Sequence, residues 1–205
     1  MNDADERPQP PAPTPFEAAA RPPASARSEA TKVEQSRAVA EVQAAVLIAK
    51  GHPRNQDAAA AELDRACKHA ALADRAFFRF NRGDGVVTGA SIHLAREMAR
   101  CWGNIDFGVK ELERDDAAGR SEMLAFAWDM QTNARVEVTF IVPHKRDVRG
   151  GQRQLNQLRD IYENNANAAA RRLRECIFAV LPVWFIETGK DKCRETIAGE
   201  VTQEG

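Results

Sequence analysis

Eight basic residues crowd the stretch between Pro143 and Glu175: Lys145, Arg146, Arg149, Arg153, Arg159, Arg171, Arg172 and Arg174. Four acids oppose them (Asp147, Asp160, Glu163 and Glu175), so the segment carries +4 in a chain whose formal net charge is −1. A local excess of this kind neutralises phosphates, and it sets an electrostatic footprint more than the total charge does. Arg79 and Arg82, upstream between aromatic residues, are of the same type. The second group capable of chemistry is acidic. Asp106, Glu111 and Glu113, followed by Asp115 and Asp116, offer the carboxylates a metal-dependent nuclease would need. Alternating charges on one strand are also what the solvated face of a sheet carries.

Other chemistries lack their residues. No G-x-x-x-x-G-K-[ST] phosphate loop, G-x-S-x-G elbow or H-E-x-x-H zinc motif occurs, and no H-x-E is paired with P-C-x-x-C. His144-Lys145-Arg146-Asp147 superficially resembles a kinase catalytic loop, without the glycine-rich loop, D-F-G or downstream Asn that would give it meaning. Cys67, Cys101, Cys176 and Cys193 form no C-x-x-C and match no zinc spacing, so free thiols in a reducing cytosol are expected. Neither a membrane span nor a signal peptide is legible. No metal or cofactor is implied.

The elements that must position these residues follow from periodicity. Seven of the ten prolines fall in the first 23 residues, among Ala, Ser and charges, so 1–30 reads as a disordered arm. Val39, Val42 and Val46 recur at helical spacing within 31–50, and a second helix is expected over 56–73. Phe78, Phe80 and the pair Val86-Val87 flank Asn81-Arg82-Gly83-Asp84-Gly85 as a β-hairpin. A helix follows, capped by Thr88 or Ser91, and ends at the Gly103-Asn104 turn. Strands over 105–114, 121–131 and 135–142, joined by short turns, make a three-stranded antiparallel meander. Two alternations, Leu124-Phe126-Trp128-Met130 and Val136-Val138-Phe140, mark a sheet with one buried face. A basic loop leads to a long helix over 160–181, with Ile161, Ala169, Leu173, Ile177 and Val180 as its buried stripe.

The expected fold class is therefore α+β: hairpin, helix, meander and long C-terminal helix, preceded by helices and a Pro-rich arm. The expected organisation is an arm over 1–30, a helical segment over 31–73, a core over 74–186 and a tail over 187–205.

This order of elements resembles the core of the single-strand DNA annealing proteins, the phage recombinases of the RecT/Redβ kind and their eukaryotic counterpart in homologous recombination. The stretches that carry the likeness are "VVTGASIHLAREMARCWGNIDFGVKELE", "MLAFAWDMQTNARVEVTFIV" and "NAAARRLRECIFAVLP", within 75–182. The resemblance implies ATP-independent annealing of complementary strands by a homo-oligomeric ring or filament, with single-stranded DNA in a positive groove. It implies action in the cytoplasm of a bacterial host, beside a phage exonuclease or a host single-strand-binding protein. Its basic helix face falls on Arg171 and Arg174, with Arg172 adjacent, and its basic hairpin position on Arg79 or Arg82. Lys145, Arg146, Arg149 and Arg153 join the DNA-binding set from charge clustering alone. Phe77, Phe80 and Trp128 could stack on bases, although strand alternation places Phe80 and Trp128 in the core. Two other readings stand beside annealing: the nuclease of Asp106, Glu111 and Glu113, and a non-enzymatic adaptor that recruits a partner through its arm and first helices.

Overall fold

A computed structural model describes residues 24–82, 85–148 and 150–203. The chain divides into two units, 1–45 and 46–205. Helix α1 (Ala24–Gly51) crosses that division, and it starts seven residues inside the segment expected to be an arm; the rest of that segment lies outside the described residues. Its apolar residues do not make the expected stripe. Val39 and Val42 are exposed although they share one face of the helix, and Val33, Leu47 and Ile48 are exposed as well.

The second unit is α+β. After the end of α1 come α2 (Gln56–Cys67), the single turn α3 (Ala70–Ala73), the hairpin strands β1 (Phe77–Arg82) and β2 (Gly85–Ala90), and α4 (Ile92–Trp102). The meander is β3 (Ile105–Asp115), β4 (Arg120–Asp129) and β5 (Ala134–Pro143). A second hairpin follows, β6 (Lys145–Val148) with β7 (Gly151–Gln154), where a loop was expected. Helices α5 (Leu158–Val180) and α6 (Val183–Gln203) complete the chain. No helix among the described residues is long and apolar enough to cross a membrane.

Local chemistry accounts for the boundaries. Ser91, rather than Thr88, caps α4, and its hydroxyl accepts from the backbone N–H of His93 and Leu94. Gly103 ends that helix at φ +74°, a conformation only glycine adopts freely, and Asn104 follows at φ +56°.

The sheet corrects one expectation. Direct pairing places Ala125 opposite Val109 and Val138, and Ala127 opposite Phe107 and Val136. The inner face of β4 is thus Ser121, Met123, Ala125, Ala127 and Asp129, all buried. Leu124, Phe126 and Trp128 lie on the other face, where Lys110 and Arg135 approach their rings. The two alternations read from the sequence are both present but occupy opposite faces. The larger side chains lost the interior because α5 packs closely on the sheet, and only alanine leaves room for it. Ile161, Asn165, Ala169, Leu173, Cys176 and Ile177 form the buried side of α5, and the Cys176 thiol donates to the Ala125 carbonyl at 3.6 Å.

The expected boundaries at 73/74 and 186/187 run through one core. Leu63 and Cys67 of α2, Leu94 and Met98 of α4, and Phe185 and Cys193 of α6 are fully buried in the same cluster as Ala125, Ala127 and Leu173. All four cysteines are buried free thiols.

An ion pair closes the end of the meander. Arg54, in the loop between α1 and α2, grips the Asp129 carboxylate with both terminal nitrogens, and the two side chains are 6% and 3% exposed. The Arg54 backbone N–H and Nε both donate to Gln131, and its guanidinium lies 4.8 Å from the Trp102 ring centre. Burial would raise the Asp129 carboxyl, but hydrogen bonds from Arg54 and at Thr132 outweigh it and hold the group below its ordinary value of 3.8.

Three expectations follow. Arg54→Ala leaves a buried charge without its partner and should cost about 3–5 kcal/mol in urea unfolding. Because the carboxyl is depressed in the folded state, its contribution is complete above about pH 4 and is lost as pH falls through the folded value, so Asp129→Asn should flatten the acid limb of a stability–pH curve. Ala125→Leu should cost about 1–3 kcal/mol by forcing α5 off the sheet.

Candidate nucleic-acid interface

The buried side of α5 determines what its remaining sides present. With 3.6 residues per turn, anchoring Asn165, Ala169 and Leu173 inward sends Asn164, Asn167, Arg171 and Arg174 outward. Alanines at 166, 168 and 170 lie between them, so the helix surface is low and lets neighbouring elements form grooves against it.

Across the C-terminal half of α5 lies a groove of about 630 Å³ between the helix, the first hairpin and the start of α4. Arg171 and Arg174 form one wall, Phe78, Phe80 and Val87 the other, and Arg75 and His93 the end. The hairpin register explains the aromatic wall, since Phe78 pairs with Gly89 and Phe80 with Val87 on one face. Gly89 is needed there: a Cβ at that position would meet the Phe78 ring at 2.7 Å. The two phenylalanine rings stack at 5.8 Å and 22°. Arg174 sits over Phe78, 4.6 Å from its centre, and Phe80 is left 46% exposed. Neither Arg171 nor Arg174 has an acidic partner within 4 Å among the described residues, whereas Arg172, between them in sequence, is paired with Glu175 at 3.0 Å. An unpaired guanidinium beside an aromatic face is a site that favours an anion with flat groups attached.

A second groove of about 450 Å³ lies on the other flank, between α5 and β6, lined by Lys145, Arg146, Asp147, Asn164, Asn167 and Arg171. Arg171 belongs to both grooves. Arg146 and Arg153 sit directly opposite each other in the β6–β7 register, an unfavourable like-charge pair that an anion would relieve. Arg153 also reaches Asp160 at 3.9 Å.

The structure therefore brings Arg171, Arg174, Lys145 and Arg146 together, with Arg153 behind them. It does not bring in Arg172, which lines neither groove, or Arg79, which strand alternation puts on the hairpin face opposite Phe78 and Phe80. Arg149 and the side chain of Arg82 lie outside the described residues. The exposure of Phe80 corrects its assignment to the core, while Trp128 is buried at 8%. The nuclease carboxylates are not assembled. Glu111 pairs with Met123 on the inner face, whereas Asp106 and Glu113, opposite Trp128 and Glu122, are on the outer face near opposite ends of β3. No group of three metal-binding side chains occurs among the described residues.

Sequence reading missed a buried polar chain that holds the second groove in place. His144 is 1% exposed, and its Nε2 lies 3.0 Å from the Ser121 hydroxyl, which accepts from Asn165 Nδ2 at 2.9 Å. The His144 backbone N–H donates to Gly119 and its carbonyl accepts from Leu155, so this residue anchors both ends of the β6–β7 hairpin. Asp116 is 3.8 Å from Nδ1. The set resembles a hydrolytic triad in composition, but Ser121 is fully buried and no substrate reaches it. Its signal in the sequence was weak: a serine in phase with Met123, Ala125 and Ala127.

Comparison with known proteins finds no matching family model, curated protein or solved structure.

Ser121→Ala should strand the buried Asn165 and His144 groups and cost about 1–3 kcal/mol. Hydrogen exchange should show the loss as faster exchange at Leu155 and in β6 and β7 before the meander. Uniform acceleration across the sheet would mean that the chain braces the whole core instead.

Proposed function

We propose that this protein binds single-stranded DNA along α5 and anneals complementary strands without ATP or covalent chemistry. The observation that carries the proposal is Arg171. It is free of any acidic partner among the described residues, and it joins a groove walled by Phe78 and the exposed Phe80 to one walled by Lys145 and Arg146. A flexible polyanion with flat bases needs both: cations for its phosphates, which give sequence-independent affinity, and ring faces for its bases. A stiff duplex keeps its base faces stacked inside and cannot use Phe80. An acidic peptide would use the cations and leave the aromatic wall idle.

Membership of the RecT/Redβ group and assembly into a ring or filament belong to the same proposal. The order of hairpin, helix, meander and long helix supports them. Repetition of one short groove along a strand would turn weak contacts per subunit into firm binding.

The proposal predicts a steep salt dependence. Arg75, Lys145, Arg146, Arg171 and Arg174 would neutralise as many phosphates, giving a log–log slope of about −3.5 per subunit, which Arg171→Ala with Arg174→Ala should reduce to about −2. The double variant should keep the wild-type melting curve and lose strand pairing in a fluorescence annealing assay. A folded double variant that anneals at the wild-type rate would show that DNA lies elsewhere. Magnesium-dependent shortening of labelled strands would replace annealing with hydrolysis.

A further inference from the structure

We propose that the recess between α4, the inner face of β3–β4 and the N-terminal half of α5 is a nucleobase pocket that takes a guanine turned out of a bound strand; this rests on the single-strand reading. The recess measures about 290 Å³, the scale of one base, and Ala170 forms part of both its wall and the wall of the hairpin groove. A nucleotide leaving the groove therefore meets the recess directly.

Its chemistry comes from residues out of keeping with their surroundings. Glu111 is a charged residue on the inner side of β3, where it follows Ile105, Phe107 and Val109, and it immediately precedes a bulge in the pairing with β4. It has no cation within 4 Å among the described residues, and its one hydrogen bond there comes from Asn165 Nδ2 at 3.3 Å. Asn165 is 5% exposed. Its amide nitrogen serves Ser121 and Glu111, and its carbonyl oxygen has no partner among the described residues. The recess thus offers the Glu111 carboxylate as an acceptor, beside an Asn165 amide nitrogen that is already engaged. Tyr162, 73% exposed, supplies a ring on the rim, and Arg96, without an acidic partner within 4 Å among the described residues, supplies a cation for the attached phosphate.

Among the four bases, guanine alone presents two adjacent donors, N1–H and the N2 amino group, on its pairing edge. Adenine and cytosine place a ring-nitrogen acceptor beside their one amino group, and thymine flanks one N–H with two carbonyls. Each of those edges would turn an acceptor toward the Glu111 carboxylate. Bases splayed from a single strand are recognised in this way, by stacking and by their pairing edges.

The test is fluorescence anisotropy on the full chain with a mixed-sequence, guanine-containing oligodeoxynucleotide and the same strand with inosine at every guanine. Inosine lacks only the N2 amino group. The expected result is about tenfold weaker binding of the inosine strand, the loss of one charge-assisted hydrogen bond per site. Glu111→Gln should bind both strands alike, at the wild-type affinity for inosine; circular dichroism checks its fold. Should that variant unfold, Tyr162→Ala, altered only at an exposed ring, should weaken guanine binding and narrow the difference. Equal wild-type affinities, or discrimination that survives Glu111→Gln, would overturn the guanine pocket and leave strand binding standing. Failure to bind either strand would overturn both.

Discussion

Everything on the face that carries the two grooves depends on how closely α5 lies on the meander. Ala125 and Ala127 give that approach, with no side chain beyond Cβ, and Cys176 and Leu173 fill the contact. The helix cannot rotate on this floor without driving Leu173 or Ile177 into water or Arg171 into the core, and either change opposes burial energetics. A single packing constraint therefore sets which residues of α5 face outward. The grooves form because a low, alanine-rich helix surface meets two hairpins that stand above it.

Charge on that surface is arranged by what is left unpaired. Arg172 and Arg159 satisfy acids on their own helix, and Arg54 is spent in the interior on Asp129. Arg171 and Arg174 have aromatic or open neighbours instead. Surface ion pairs contribute little to stability, so two arginines without an acidic partner among the described residues cost the fold little. The buried Ser121–His144–Asn165 chain serves the same surface indirectly: it holds the ends of the β6–β7 hairpin, and so Lys145 and Arg146, beside the helix.

Much of this was legible in the chain. The strand–helix–strand unit around Gly103, the meander turns, the stripe of α5 and the clustering of Arg171 and Arg174 with Lys145 and Arg146 are local patterns, and local patterns survive folding. Arg79 lies on the hairpin face away from the groove because a period of two sends neighbours to opposite faces, and the sequence does not say which face meets the helix. The second hairpin was hidden in a polar, glycine-bearing stretch whose strands carry no apolar alternation, and α6 was hidden behind Pro182.

By itself, then, the sequence determined the elements from the first hairpin to the long helix, apart from β6 and β7, with the α+β class and the local excess of positive charge, because propensity, turn chemistry and composition act over a few residues. Only the tertiary structure decided which face of the sheet is the inside, which arginines are free, and that Phe78, Phe80 and Arg174 share a groove. Those outcomes turn on competition for space between distant segments. The bulkier alternation, Leu124-Phe126-Trp128, was the obvious candidate for the core. It faces outward because a helix 30 and more residues further along the chain needed the small side chains.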